Sequence, residues 1–281
     1  MKSYIYSFLF ILTLFTSCTD VIDVDVPTAD PRLVIEASLD WQNGTDGKQQ
    51  TIKLSTTTPY FDTTSDNAVT GGTVTVTRSS TNDTILFTDN NDGTYTTKNF
   101  EAVLNETYIL NIVYNNETYT ATETLRPTTP ITSVNQSKNN GFFSDVLEVN
   151  VYFNDPEDET NFYILKFQER DEDYPYLRDL SDDLQNGNEI SVVYEKFDDD
   201  NEDEEFQPGD VVDINLYNVS ERYYKYMQLL NSQSGSGNPF APTPVELRGN
   251  CINETNPENY PYGFFRVTET YKETYTFVDE E

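Results

Sequence analysis

Alternating apolar and polar residues dominate the chain, in short runs bounded by turn-forming clusters. Residues 33–39 are strand-like and precede Asn43-Gly44, residues 51–55 alternate, and Gly71-Gly72 leads into Thr73-Val74-Thr75-Val76-Thr77. In that last run the valines share one face and the threonines the other, which is the period of a half-buried strand. Residues 84–87 and 94–96 flank Asp89-Asn90-Asn91-Asp92-Gly93, and residues 108–114 and 118–124 flank Asn115-Asn116. Seven short strands with turns between them predict an immunoglobulin-like β-sandwich over residues 31–126.

The second half is also mainly β. Leu147, Val149, Val151 and Phe153 share a face within 146–153, and 162–167 is apolar almost throughout, as in a strand covered on both sides. Residues 190–194, 211–217 and 264–278 add strands, the last with Val267, Glu269, Tyr271, Glu273, Tyr275 and Phe277 on one side. One helix is expected near 220–231. Ser220 can cap it, Glu221 suits the positive end of its dipole, and Tyr223, Tyr226, Met227 and Leu230 form an apolar stripe. These elements predict a second, β-rich domain over residues 131–281 with one short α-helix. The boundary is drawn at Arg126-Pro127-Thr128-Thr129-Pro130, because proline withholds a backbone donor from a sheet. Threonine usage changes at the same place, with 24 in residues 51–132 but only Thr160 and Thr243 in residues 133–250.

The first 30 residues read differently. Lys2 precedes an apolar run over 5–15, too short for a membrane span and suited to the apolar core of a signal peptide over 1–17. Phe15-Thr16-Ser17-Cys18 resembles the bacterial lipobox, with Phe15 in place of the usual leucine. That resemblance implies cleavage before Cys18 and acylation of Cys18, the lipid-attachment residue, so the chain would meet the membrane through lipid. Residues 18–30 then form an acidic tether carrying Asp20, Asp23 and Asp25. Acidic residues just behind the lipidated cysteine resemble the export signals of cell-surface lipoproteins in Bacteroidota.

Charge excludes several partners. Seventeen Lys and Arg face 49 Asp and Glu, a net charge of −32, so nucleic acid is not an expected partner. Such a field disfavours self-association, so a monomer is expected, and it favours a basic partner with salt-sensitive binding. The chain has no histidine, which removes Ser-His-Asp and Cys-His catalysis. With Cys18 lipidated, Cys251 is left alone and reads as a packed small hydrophobe. The acidic runs at 155–159 and 198–205 lack the alternating ligand spacing of a calcium loop, and Asp89–Gly93 reads as a tight turn. No catalytic, cofactor-binding or metal-ligating residue is assigned, and no cofactor is expected.

Several phrases in order carry a family resemblance. They are Pro31-Arg32-Leu33-Val34-Ile35-Glu36-Ala37, Tyr119–Thr124 before the proline segment, Phe206-Gln207-Pro208-Gly209-Asp210-Val211-Val212, and the Tyr-rich helix over 220–226. Asn238-Pro239-Phe240, Pro244-Val245, Gly249-Asn250 and Tyr262-Gly263-Phe264-Phe265 complete the set. Together they resemble the Bacteroidota lipoprotein family named domain of unknown function 4249, over about residues 18–278. The resemblance implies an accessory role beside TonB-dependent outer-membrane transporters and brings no catalytic residues with it. Cys251 and the acidic insertion at 198–205 depart from the family pattern. The expected function is therefore a non-enzymatic, lipid-anchored outer-membrane protein, exposed at the cell surface, that binds or presents something to such a transporter. Two alternatives remain: a glycan-binding surface lipoprotein using some of the 20 Tyr and 17 Phe, and a carboxylate-based hydrolase.

Overall fold

The structure is a computed structural model that describes residues 29–59, 62, 66–157, 159–196, 205–234 and 245–279. Residues Pro31–Glu281 form one compact unit. Strands dominate, and their order resolves into two β-sandwiches built to the same plan.

The first sandwich uses β1 (Leu33–Gln42), β2 (Gln50–Thr56), β3 (Thr73–Arg78), β4 (Thr84–Asp89), β5 (Thr94–Thr97), β6 (Thr107–Tyr114) and β7 (Glu117–Thr124). One layer runs β1-β2-β5 and the other β4-β3-β6-β7. These are the seven strands read from the alternation. The valines of the Val74/Val76 run are fully buried and its threonines face out, as a period of two requires. Ile35, Leu39, Ile52, Leu54, Tyr95, Phe100, Tyr108 and Ile112 form the core between the layers.

The second sandwich uses β8 (Ile131–Ser137), β9 (Glu148–Asn154), β10 (Phe162–Glu169), β11 (Tyr176–Ser181), β12 (Glu189–Glu195) and β13 (Val211–Val219). After these come α1 (Glu221–Ser234), the two-residue β14 (Ile252–Asn253) and the long β15 (Tyr262–Thr276). Here β8-β9-β12 faces β11-β10-β13-β15, the same three-on-four arrangement. Leu147, Val149, Val151 and Phe153 meet Tyr163, Leu165, Phe167, Ile214 and Leu216 in its core. The other face of β10 is covered by α1, so β10 is buried on both sides as its apolar sequence predicts.

The sequence did not separate β8 from the proline segment or find β11. Ser220 caps α1 as expected: its Oγ accepts from Tyr223 N at 3.3 Å. Tyr223 and Tyr226 pack on Phe264 at 4.9 and 5.1 Å and Met227 is buried. The expected stripe is shorter than predicted, because Leu230 is 41% exposed.

The two sandwiches share β15. Its first part runs parallel to β1, from Val34↔Tyr262 to Gln42↔Thr270, and its second part pairs antiparallel with β13. Cys251, Phe265 and Val267 belong to the first core and Phe277 to the second. The region expected to lie wholly in the second domain, 131–281, is thus divided between both cores. The single face expected for β15 also changes along its length: Phe264 to Thr270 are buried on both faces, whereas Lys272, Glu273 and Thr274 are exposed.

Close backbone approach makes this junction. A Cβ at Gly263, where φ is +90°, would lie 2.0 Å from Ile35 O, and one at Gly249 would lie 1.6 Å from Gly263 O. Only glycine fits at either position. A buried polar seam joins the same strands. Arg266 donates twice to Asp40 at 2.7 and 2.9 Å, and Glu269 accepts from Asn43 Nδ2 at 2.7 Å and Thr128 N at 2.8 Å.

Candidate functional site

Cys18, the signal segment over 1–17 and the tether to residue 28 lie outside the described residues, as do 198–204 of the acidic run. The other acidic runs serve the fold. Asp155 is buried and accepts from Tyr163 Oη at 2.5 Å and Gly187 N at 2.9 Å. Asp89 and Asp92 accept from Asn91 N and Thr94 N within their own turn, at 2.8 and 2.9 Å. Cys251 sits in the first core, where burial pushes its thiol up to about 12, away from nucleophilic behaviour at neutral pH.

The strongest candidate site was not anticipated. An open groove of about 1530 Å³ lies between β11, the edge of the large sheet, and β12, the edge of the small one. It is lined from one side by Tyr176, Arg178 and Leu180 and from the other by residues 190–196 without a gap. Side chains alternate across a strand, so consecutive residues can line a groove only when the strand presents its backbone edge to it. Loop residues Phe142, Tyr174 and Leu184 stand around the opening at 88, 86 and 96% exposure. Large apolar side chains so exposed, gathered at one opening, mark an interaction surface more readily than the same residues scattered singly.

The floor is buried and packed by comparison. Tyr194 is buried, stacks on Tyr176 at 4.7 Å with planes 8° apart, and packs on Phe167 at 4.8 Å. Its hydroxyl donates to Glu169 at 2.6 Å, and Lys196 bonds the other Glu169 oxygen at 2.5 Å. Burial, then the bond to Glu169, pushes the Tyr194 phenol well above its ordinary value. The ring is therefore a neutral packing surface.

Two carboxylates sit side by side at one end, since Glu148 on β9 is directly opposite Glu195 on β12. Their oxygens are already engaged by the loop above them. Asn140 N and Gly141 N donate to Glu148 at 2.6 Å, and Phe142 N and Phe143 N donate to Glu195 at 2.6 and 3.3 Å. Ser137 Oγ also donates to Glu148. The pair thus fastens the loop that presents Phe142. Carboxylates whose lone pairs are occupied in this way are poorly placed to exchange protons with a substrate. Among the described residues no group of three or more Asp, Glu or Cys side chains is arranged to hold a metal ion. No helix among them is long and apolar enough to cross a membrane.

The sequence carried a faint signal for the groove. Tyr174-Pro175-Tyr176 follows Asp171-Glu172-Asp173, and Phe142-Phe143 follows Asn139-Asn140-Gly141. Bulky aromatics inside polar, turn-forming stretches have no periodic place in a core. Only the pairing of β10 with β11 and of β9 with β12 brings these two stretches to one opening.

No match is found among curated proteins. Among solved structures, the chain is similar to a two fibronectin type-III domain segment from chicken tenascin, at 11% identity and a TM-score of 0.20, over 67% of this chain and 90% of that one. It is also similar to a chain of a cytokine receptor complex, at 10% identity and a TM-score of 0.25, over 66% and 89% of the two chains. The fold assignment rests on the strand order above. A family profile does match, over residues 19–274, a span that includes both sandwiches and the groove, and the chain belongs to the family described as domain of unknown function (DUF4249).

Proposed function

We propose that this chain is a non-enzymatic lipoprotein of the outer membrane, anchored through acylated Cys18 and exposed at the cell surface. There it acts as an accessory binding or presenting subunit for a TonB-dependent transporter. The observation that carries the binding role is the open groove of the second sandwich, with Phe142, Tyr174 and Leu184 almost wholly exposed around it. The anchoring role is supported by the apolar run over 5–15 followed by Thr16-Ser17-Cys18. A net charge of −32 favours a basic partner surface and an association that weakens with salt.

Two measurements test this reading. Cys18→Ala is expected to abolish acylation and release the protein from membranes; a variant that still partitions with membranes would disprove the anchor. Purification in mild detergent at low and high salt, with mass spectrometry, is expected to recover an outer-membrane barrel protein at low salt. Recovery of the chain alone under both conditions, with the transporter present in the lysate, would sink the accessory role.

The exposed rings of Phe142 and Tyr174 favour a second reading, in which the groove stacks sugar rings. One face of Tyr176 is already covered by Tyr194, and Phe142 meets Phe143 with planes 81° apart, which leaves little flat platform. Retention on a glycan array that is lost in Tyr174→Ala would promote this reading over the first.

A further inference from the structure

The two sandwiches differ at one equivalent place. In the first, the end of β4 crosses to the opposite layer and pairs with β5, through Thr88↔Thr96 and Asp89↔Tyr95. That pairing covers the outer edge of β5. In the second, β11 stands where β4 does and β12 where β5 does, but each ends its sheet and the groove lies between them. The second sandwich therefore lacks, among the described residues, the cross-layer pairing that closes the first.

The free edge is ready to pair. Asp155 N donates to Asn188 O at 3.0 Å, and the register continues through Glu189↔Asn154 to Glu195↔Glu148. In an antiparallel ladder, directly opposed residues alternate between hydrogen-bonded and non-bonded pairs. Residues 190, 192 and 194 therefore turn their backbone groups to β9, while Ser191, Val193 and Glu195 turn theirs into the groove. An unpaired edge of this kind is a template for an incoming strand.

We propose that the free edge of β12 takes an extended, basic segment of a partner protein, with alternating apolar residues, as an added β-strand. This deepens the binding reading above and rests on it. Roughly six residues fit, given ~3.3 Å per residue along a strand. The basic character follows from the rim. Glu172 and Asp183 line the groove beside Asp171 and Asp173, whereas of its two cations Lys196 is already bound to Glu169. The alternating apolar side chains would lie against Tyr176 and Leu180. The chain's own tether, which carries Asp20, Asp23, Asp25 and Asp30 and no Lys or Arg, has the wrong charge for this place, as does a second copy carrying −32.

The test uses the full chain in detergent and three labelled octapeptides followed by fluorescence anisotropy. The first alternates Lys or Arg with Tyr or Val, the second replaces every base by Glu, and the third is the first with alternate backbone nitrogens methylated. The basic peptide is expected to bind at least about tenfold more tightly than either of the others, a gap of about 1.4 kcal/mol. Ser191→Pro removes one outward N–H at an exposed edge position, where proline is tolerated, and is expected to weaken binding about tenfold. Ser191→Ala should leave binding unchanged. Equal binding of the methylated peptide would overturn the proposal, since charge alone would then explain adhesion, and it decides the matter on the wild-type chain even if Ser191→Pro misfolds. Equal binding by a folded Ser191→Pro would overturn it as well. A detergent pull-down that still recovers the transporter with Ser191→Pro would leave the accessory role standing and remove strand addition. Peptide binding without any recovered transporter would do the reverse.

Discussion

The two sandwiches repeat one strand order and part company at a single corner. The first is closed there: β4 reaches across to β5, and Tyr95 on β5 is fully buried, donating to Val69 O at 3.0 Å and accepting from Gly72 N at 3.1 Å. The second is open: Tyr194 on β12 gives its hydroxyl to a side chain, Glu169, and stacks across the groove on Tyr176. The outer faces differ in the same sense. The first is laced with short threonine contacts, Thr77 to Thr84 at 3.0 Å and Thr107 to Thr124 at 2.9 Å, whereas the loops of the second carry acids and exposed aromatics. A backbone plan of three strands on four is thus compatible with either a sealed support or a binding edge. What decides is whether the end of one strand crosses to the opposite layer and pairs there.

The harshest way to break the comparison is to remove what the two sandwiches share. Gly263→Ala would force a Cβ to within 2.0 Å of Ile35 O at a φ of +90°. The expected cost is on the order of 3 kcal/mol or more, from strain and overpacking together. Because β15 serves both cores, urea unfolding followed by near-ultraviolet circular dichroism should show them lost together. Selective loss of the first core would mean that β15 does not couple them.

A milder change tests the closed corner alone. Tyr95→Phe keeps the ring but orphans Val69 O and Gly72 N, at a cost of about 1–3 kcal/mol. Tyr194→Phe removes a hydroxyl whose acceptor, Glu169, keeps Lys196 as a partner, so its cost should be smaller. Equal denaturation midpoints for the two variants would remove the distinction between a sealed and an open corner.

The smallest effect concerns pH in the second sandwich. Asp182 is fully buried, and burial, with repulsion from Asp155, pushes its carboxyl above its ordinary value. A carboxyl raised on folding costs nothing well below its ordinary value and progressively destabilises the fold as pH rises through and beyond it. Asp182→Asn keeps an acceptor for Asn161 N and is expected to raise stability by about 1 kcal/mol at pH 7. At pH 3 it should change nothing. Thermal melts at both pH values decide the sign, and a gain confined to pH 3 would contradict the burial of this charge.

Much of the fold was legible in local pattern. Val74 and Val76, Leu147 to Phe153, and the helix from Ser220 to Met227 each declare their element through period, turn residues and caps, because those signals act within a few residues of the chain. The wrong or missing readings all involve distant partners. β11 has only half-buried and exposed positions, Tyr176 to Ser181, so its sequence lacks alternation; it is a strand because β10 pairs with it. Glu148 and Asn150 lie between core residues and look like solvent positions, yet they are fully buried because the loop over 138–145 folds onto them.

By itself the amino-acid sequence determined the β character of both halves, the helix and the acidic charge. Periodicity, backbone freedom and net charge are properties of neighbouring residues and of totals, so they survive without a structure. Tertiary pairing alone decided that the halves share a topology, that β15 belongs to both cores, and that the β4–β5 corner is sealed while the β11–β12 corner is open. The groove lies at the meeting of two sheet edges, Tyr176 to Ser181 and Glu189 to Glu195, and an edge exists only by virtue of the strands that do not pair with it.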